Sequence, residues 1–491
     1  MPNALSPRTL PSFFGAWRHC RTYLFALCSL SLASAPLPAG AAPLPPTVAQ
    51  ALAASGIPAS QVSIAVQAVD ASRPLLAHNP AQAMNSASVM KLLTTYAALE
   101  MLGPAYTWKT DVLAEAPPLD GRLAGNLYLK GGGDPALTLE RFWLLLRQLR
   151  SRGLKDIGGD LVLDRSAYAL PPYDPAAFDN EPLRAYNAGP DPLLVNLKAL
   201  RLTLNPAPDG SAVRVIQETP LDNLKLSARV TAATGDCGDW REMLAIRYDA
   251  PRASLEIGGR FPTACGDKPL YLTPLDADTY LDDLFRPLWR EMGGSLGGRV
   301  RPGDAPASAQ LLARWESPPL AEVIREVNKY SNNVMARQIF LALGNSDAPA
   351  SPERAQARLR SWLDGKHLSM PELVLENGSG LSRRERISAG SLLKLLLAAW
   401  TSPVMPEFVA SLPLAGSDGT LKRRFGNSPA MGRAHLKTGS LEGARAWAGY
   451  VTDQGGRRWA VVMLANGPKA GAAWSAMDAL LAWVMNQPGQ E

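Results

Sequence analysis

The chain has 491 residues, 46% apolar and 19% charged, with aromatics throughout and no long acidic or glutamine-rich tract. This composition excludes a disordered or fibrous protein, and the length exceeds the roughly 250–300 residues at which a single hydrophobic core stops growing, so several domains are expected. The net charge of +6, half of it in the first 41 residues, is too small and too scattered to argue for a nucleic-acid partner.

The first 41 residues carry Arg8, Arg18 and Arg21 with no acid, then the apolar run "YLFALCSLSLASA", then small residues ending "PAGAAPLPP". This is the layout of a secretory signal, with cleavage expected after Ala41 at an A-x-A site formed with Ala39. An uncleaved amphipathic anchor is the alternative. Cys28 follows a bulky Leu27 early in the apolar run, which argues against lipid attachment. No later segment is apolar enough to span a bilayer, so the mature chain is expected in the periplasm, without a membrane span and with loose membrane association left open. Cys20 and Cys28 depart with the leader, leaving Cys237 in "TGDCGDW" and Cys265 in "FPTACGD". An even pair in an exported protein, each beside Gly and Asp turn residues, reads as a disulfide, two buried thiols being the alternative.

Further along, "TVAQALAASG" has helical spacing, "VSIAVQAVD" alternates like a strand, and "PLLAHNP" follows after a short turn. From Ser88 the apolar positions Leu92, Leu93, Tyr96, Leu99 and Leu102 recur at three and four, which puts Ser88 near a helix start and Lys91 one turn on along the same face. Residues 112 to 315 are richer in short strands and turns, from "GNLYLKGGGDPAL" to "ASLEIGGRFP", and read as mostly β material inserted between two α/β halves. The stretch "RVRPGDAPASAQLLARWESPP" is the expected return crossing. Helices then resume at "LAEVIREVNKYSNNVMARQIFLALG". "AHLKTGS", "ARAWAGYVT" and "RWAVVMLAN" read as three successive strands, and "AAWSAMDALLAWVM" as a closing helix that packs on their sheet.

A hydroxyl nucleophile needs a base. His78, His367 and His435 read as turn or surface histidines, and none accompanies a G-x-S-x-G elbow. A lysine serves instead if it is neutral, which burial, a neighbouring positive charge and a helix N-terminus all favour. Ser88 and Lys91 form an S-x-x-K, a pattern that arises by chance in a chain of this size and recurs at Ser391 and Lys394, where a helix-start serine and a solvated lysine suffice. The companions discriminate: Ser331 and Asn333 supply an S-x-N, and Lys437, Thr438 and Gly439 a K-T-G on a predicted strand. S-x-x-K, S-x-N and K-T-G in that order form a penicillin-interacting set. Ser88 would attack a carbonyl and Lys91 take its proton, with Ser331 and Asn333 relaying a proton and orienting substrate. The N–H groups of Ser88 and Ser440 would hold the oxyanion. Lys437 and Thr438 would dock a free carboxylate, and Gly439 would leave room for substrate against the strand.

On these motifs the chain resembles the D-alanyl-D-alanine carboxypeptidase/endopeptidase family, the class C low-molecular-mass penicillin-binding proteins of the penicillin-binding protein 4 type. The 239 residues between Lys91 and Ser331 match the long insertion of that family, and "GGGDPALT", "YNAGPDPLLVNL", "NGSGLSR" and "LPLAGSDGTLKRRF" look like it too. The resemblance implies an α/β (α+β) fold: a serine β-lactamase/penicillin-binding transpeptidase-like catalytic domain, an antiparallel sheet flanked by helices, with two nested, mainly β inserted domains. The expected divisions are a signal peptide at 1–41, catalytic segments at 42–111 and 317–491, an outer insertion at 112–187 and 268–316, and a nested one at 188–267. It implies acylation of Ser88 by the penultimate D-Ala of peptidoglycan stem peptides or cross-links, release of the leaving amine and deacylation by water. β-Lactams would be covalent inhibitors, and no metal or organic cofactor is implied. Asp134, Arg383 and Glu442 would contact the substrate side chain. Glu442 is a carboxylate where some relatives carry an amide, which leaves the charge preference of that pocket open. The alternatives are a β-lactamase-like hydrolase, against which the long insertion argues, and a non-enzymatic cell-wall binding scaffold, against which the intact motifs argue.

Overall fold

The computed structural model describes residues 43–487. The expected leader, with Cys20 and Cys28, lies outside the described residues.

The catalytic motifs rest on one five-stranded sheet made from both ends of the chain. Its strand order is Ala434–Leu441, Ala444–Thr452, Arg458–Asn466, Val62–Ala68 and Leu76–His78. Val62–Ala68 pairs antiparallel with Arg458–Asn466, from Val62 opposite Ala465 to Ala68 opposite Trp459, so the hairpin before Ser88 and the meander carrying K-T-G share one hydrogen-bonded frame. Alternation assigns the two faces. Val62, Ile64, Val66, Trp447, Val461 and Met463 point toward helices Pro46–Ala54 and Trp474–Met485. Ala65, Ala446, Ala448, Ala460 and Val462 point toward helices Lys91–Leu102, Leu320–Lys329, Asn333–Ala342 and Ala389–Trp400. The second set is mostly alanine, which lets helix Ala389–Trp400 and the turn Ala87–Met90 lie close to the sheet. Because both faces are covered, every residue of Val62–Ala68 is buried. The last helix packs on the sheet as expected, and no described helix is long and apolar enough to cross a membrane.

The middle of the chain forms further sheets with a core of their own. The outgoing strand Lys109–Ala114 pairs antiparallel with the returning strand Gln310–Glu316 at the edge of a five-stranded mixed sheet. The division expected after residue 111 therefore runs through a strand. The division expected after 267 likewise separates Lys268–Leu272 from its antiparallel partner Leu200–Pro206. Two helices in this region, Leu139–Ser151 and Ala277–Glu291, are absent from the β-rich sequence reading. They start at good caps: Thr138 Oγ1 accepts from Arg141 N, and Asp276 Oδ1 from Asp278 N and Thr279 N. Their apolar faces, Phe142, Leu145 and Leu149 on one and Tyr280, Leu284 and Leu288 on the other, cover sheet surface that would otherwise meet water. Cys237 and Cys265 are joined in a disulfide within this region.

Candidate active site

Ser88 sits in a single 3-10 turn, Ala87–Met90, that runs directly into helix Lys91–Leu102. The turn is held in an unusual shape: Ala87 has φ +46°, a left-handed value that L-residues adopt at a cost. Asn85 and Asn466 hold it there. Asn85 N donates to Asn466 Oδ1 at 2.7 Å, Asn466 Nδ2 donates back to Asn85 O at 2.9 Å, and Asn85 Oδ1 accepts from Ala87 N at 2.8 Å.

Lys91 is 0% exposed. Its Nζ donates to Ser88 Oγ at 3.0 Å, Asn333 Oδ1 at 2.5 Å and the Ser379 carbonyl at 2.5 Å. Burial, and then the positive charges of Lys437 and Arg337, hold its amine well below the usual lysine range, with Glu385 opposing them. Lys437 is also 0% exposed, and its Nζ donates to Ser331 Oγ at 2.9 Å and Thr438 O at 2.7 Å. Burial lowers this amine to about 7. Each lysine thus grips one end of the S-x-N: Lys91 holds Asn333, Lys437 holds Ser331. The middle residue explains the spacing. Asn332 caps helix Asn333–Ala342 by accepting from Met335 N at 3.1 Å, and Ser331 takes φ +59°, so the outer two side chains face the cleft.

The turn bearing S-x-N is anchored from behind, since Lys329 Nζ reaches Leu412 O at 2.8 Å and Asp418 Oδ2 at 2.6 Å. Asp418 belongs to "LPLAGSDGTL", and Thr420 of the same stretch places its Oγ1 2.8 Å from Thr438 Oγ1. This contact ties the K-T-G strand to the stretch that anchors the S-x-N turn. Thr420, Ser379, Asn85 and Asn466 are parts of the site that the motifs did not name.

Glycine at 439 also has a reason within the protein. A Cβ there would lie 2.5 Å from Ser86 O and 3.1 Å from Ser88 N, so Gly439 lets the K-T-G strand close on the nucleophile's own turn. Gly380 of "NGSGLS" plays the matching part on the other side, where a Cβ would come within 1.9 Å of Ala87 O. Ser440 is exposed and Ser88 half-buried, at the open side of this arrangement.

Arg383 and Glu442 come together at the exposed rim, Nη2 to Oε2 at 3.4 Å, with the guanidinium 4.8 Å over the Phe178 ring. A cavity of about 630 Å3 runs inward from Arg383 between Tyr173, Phe178, Arg337, Asn377 and Ser382. Asp134 does not join them. It is 1% exposed, its Oδ1 accepts from Ala136 N at 2.7 Å, and burial pushes its carboxyl up to about 6, so it shapes its own turn and offers no surface to a substrate. The histidine reading also needs correction. His78 is buried on strand Leu76–His78, and His435 lies half-buried on the K-T-G strand with burial lowering its imidazole; only His367 occupies a turn, at φ +56°. Ser391 and Lys394 behave as a helix-start serine and an exposed lysine. Among the described residues, no group of three His, Cys, Asp or Glu side chains is placed to hold a metal ion.

Known proteins resemble this chain in sequence and fold. The chain is 26% identical over 416 residues to the D-alanyl-D-alanine carboxypeptidase DacB of Haemophilus influenzae, covering 84% of this chain and 86% of that one. It is 28% identical over 420 residues to a D-alanyl-D-alanine carboxypeptidase of an Actinomadura species, covering 82% and 77%. The crystal structure of penicillin binding protein 4 from Haemophilus influenzae superposes with a TM-score of 0.74 at 24% identity over 90% of this chain and 99% of that one. A predatory peptidoglycan endopeptidase of Bdellovibrio bacteriovorus superposes with a TM-score of 0.52 at 15% identity over 87% and 92%. With a serine, two buried lysines and an S-x-N turn gathered in one cleft, and the family model matching residues 44–487, this chain belongs to the D-Ala-D-Ala carboxypeptidase 3 (S13) family.

Proposed function

We propose that the chain hydrolyses peptidoglycan stem peptides ending in D-Ala-D-Ala, and peptide cross-links of the same chemistry, through an acyl-enzyme on Ser88. The observation that carries this reading is the 3.0 Å contact between Ser88 Oγ and a fully buried Lys91 Nζ, because a neutral amine at that distance can accept the hydroxyl proton as the oxygen attacks. The N–H groups of Ser88 and Ser440 receive the oxyanion. Collapse breaks the peptide bond, the departing amine takes the proton that Lys91 received from Ser88, and Asn333 and Ser331 keep the two lysines in register for that transfer. Water then attacks the ester on Ser88 and restores the hydroxyl. Lys437, Thr438 and Thr420 receive the terminal carboxylate, whose charge draws Lys437 back to its ammonium form. Arg383 and Glu442 meet the substrate side chain at the rim.

The leader layout and the proposed substrate both support a location outside the cytoplasm, in the periplasm. The middle of the chain serves as an insertion whose inner part is itself nested. β-Lactams occupy the same cleft as dipeptide mimics, and the Haemophilus influenzae relative has been crystallised with one.

The test is twofold: peptide mapping by mass after incubation with benzylpenicillin, and digestion of purified muropeptides. The expected results are a long-lived adduct on Ser88, absent in Ser88→Ala, and loss of D-alanine or cleavage of dimers. Rapid turnover of the β-lactam would favour a β-lactamase, and neither adduct nor digestion would overturn the reading.

A further inference from the structure

The stretch from Glu376 to Ser382 has no helix or strand, yet its backbone is tightly held. Glu385, 1% exposed, accepts four of its N–H groups: Oε1 from Glu376, Asn377 and Gly378 at 3.0, 2.8 and 2.9 Å, and Oε2 from Gly380 at 3.0 Å. On the far side Thr94 Oγ1 donates to Gly378 O at 2.6 Å. Between these two grips the Ser379 carbonyl is aimed at Lys91 Nζ, 2.5 Å away. A carboxyl group that meets only N–H donors is suited to its ionised form; burial pushes it up, the amides of Asn377, Glu376 and Gly378 pull it back, nearby Glu376 pushes it up, and the balance lies above the usual glutamate value.

We propose that Glu385 is a positioning residue for the reaction at Ser88: its carboxylate folds the loop so that the Ser379 carbonyl steadies Lys91 beside the nucleophile. The inference rests on Lys91 being the base for Ser88. The charged groups around Lys91 are Lys437 and Arg337, which disfavour a further positive charge, and Glu385, which opposes them. Around Glu385 stand Glu376, Arg384, which reaches Glu376, and Arg386, which donates to the Glu385 carbonyl. Without Glu385 the two cations act unopposed, and four N–H groups, those of Gly378 and Gly380 buried, lose their acceptor.

Glu385→Gln removes the charge and replaces one of the two acceptor oxygens with a donor, so the loop loses part of its hold. Removing a negative neighbour lowers the proton affinity of an amine, so the Lys91 side-chain resonance, followed by NMR in lysine-labelled protein, is expected to titrate about half a pH unit or more lower. The acid limb of acylation by a fluorescent penicillin should move the same way, while the plateau falls about 10- to 100-fold as the amine loses its fixed position. Thr94→Val loosens the same loop without changing charge and is expected to lower the plateau and leave the limb in place. Glu385→Asp keeps the charge but retracts it by one methylene, and serves if the glutamine variant does not fold: a reduced plateau with an unmoved limb is expected. A glutamine variant whose Lys91 titrates as in the wild type, or an aspartate variant with a wild-type plateau, overturns the inference. The NMR titration does not require Ser88 to react, so a wild-type chain that takes no label overturns the acylation reading and leaves the titration to decide the role of Glu385.

Discussion

Replacing Lys437 by methionine should stabilise the protein while abolishing its reaction, and the size of the effect follows from burial. Lys437 is 0% exposed, and burial lowers its amine from 10.5 to about 7. The folded value is depressed below the unfolded one, so between the two the unfolded chain holds a proton that the folded chain has shed. Stability therefore rises with pH across this window and levels off below about 7, where both states are protonated. The slope approaches about 1.4 kcal/mol per pH unit, and integrating from pH 7, where the folded amine is half-protonated, to pH 9 gives roughly 2 kcal/mol. Lys91 is lowered by the same physics and adds in the same direction. Above pH 9 the buried tyrosines Tyr96 and Tyr280, both raised by burial, begin to oppose the trend, so the window ends there. Methionine fills a similar volume and carries no proton. The measurement is the urea midpoint of wild type and Lys437→Met at pH 7, 8 and 9, together with labelling by a fluorescent penicillin. The variant is expected to be the more stable protein at pH 7, to lose about 2 kcal/mol of the rise between pH 7 and 9, and to take no label. A wild-type midpoint that is flat or falling across this range, or a variant with the full wild-type slope, would refute the claim that Lys437 is held neutral by burial.

Lys91→Met should leave Ser88 in place but slow acylation about 100- to 10,000-fold, read as the second-order rate of penicillin labelling. Gly439→Ala should impair the same rate about 100-fold, because its methyl meets Ser86 O at 2.5 Å and displaces the strand from the nucleophile's turn. Wild-type labelling in that variant would show that the close approach does not matter. Replacing Cys237 and Cys265 together by serine opens a loop with a sequence separation of 28 and should destabilise the middle region by about 3 to 4 kcal/mol in chemical denaturation, with Ser88 labelling at 25 °C preserved.

What could be read beforehand tracks where side-chain chemistry is periodic or distinctive. The Val62–Ala68 strand, the three C-terminal strands and the face shared by Ser88 and Lys91 follow from apolar spacing, and S-x-x-K, S-x-N and K-T-G converge because the Ser88 turn lies on the K-T-G strand and helix Lys91–Leu102 packs on helix Asn333–Ala342. The helices Leu139–Ser151 and Ala277–Glu291 were hidden by their strand-rich surroundings, and Pro287 inside the second argues locally against a helix that tertiary packing nevertheless stabilises. The Ser379 carbonyl could not be found from sequence at all, since a backbone oxygen carries no residue signature. Asp134 misled for the converse reason: a carboxylate in a distinctive glycine-rich motif resembles a ligand-binding group, and only its 1% exposure shows that it serves its own turn.

The long insertion also bears on how the site stays assembled. A stretch of 239 residues separates Lys91 from Ser331, yet Lys91 Nζ and Asn333 Oδ1 lie 2.5 Å apart. A flexible excursion of that length would leave the S-x-N turn free to drift, with a loop-closure entropy that grows only slowly with length but gives no position. The chain instead closes the insertion at its base. Lys109–Ala114 and Gln310–Glu316 pair as neighbouring strands, and immediately below them Trp108 N donates to Ser317 Oγ, Ser317 N to Trp108 O, and Leu320 N to Tyr106 O, at 3.0, 3.0 and 2.8 Å. Helix Leu320–Lys329 therefore begins within hydrogen-bonding reach of the segment that follows helix Lys91–Leu102, and its far end delivers Ser331. Seen from the cleft, the shortest connection between the two motifs runs through residues 106 and 320, and the insertion adds its own hold on helix Asn333–Ala342, where Gln338 Nε2 donates to Asp191 O at 2.7 Å and Arg337 Nη1 to Ala188 O at 3.0 Å.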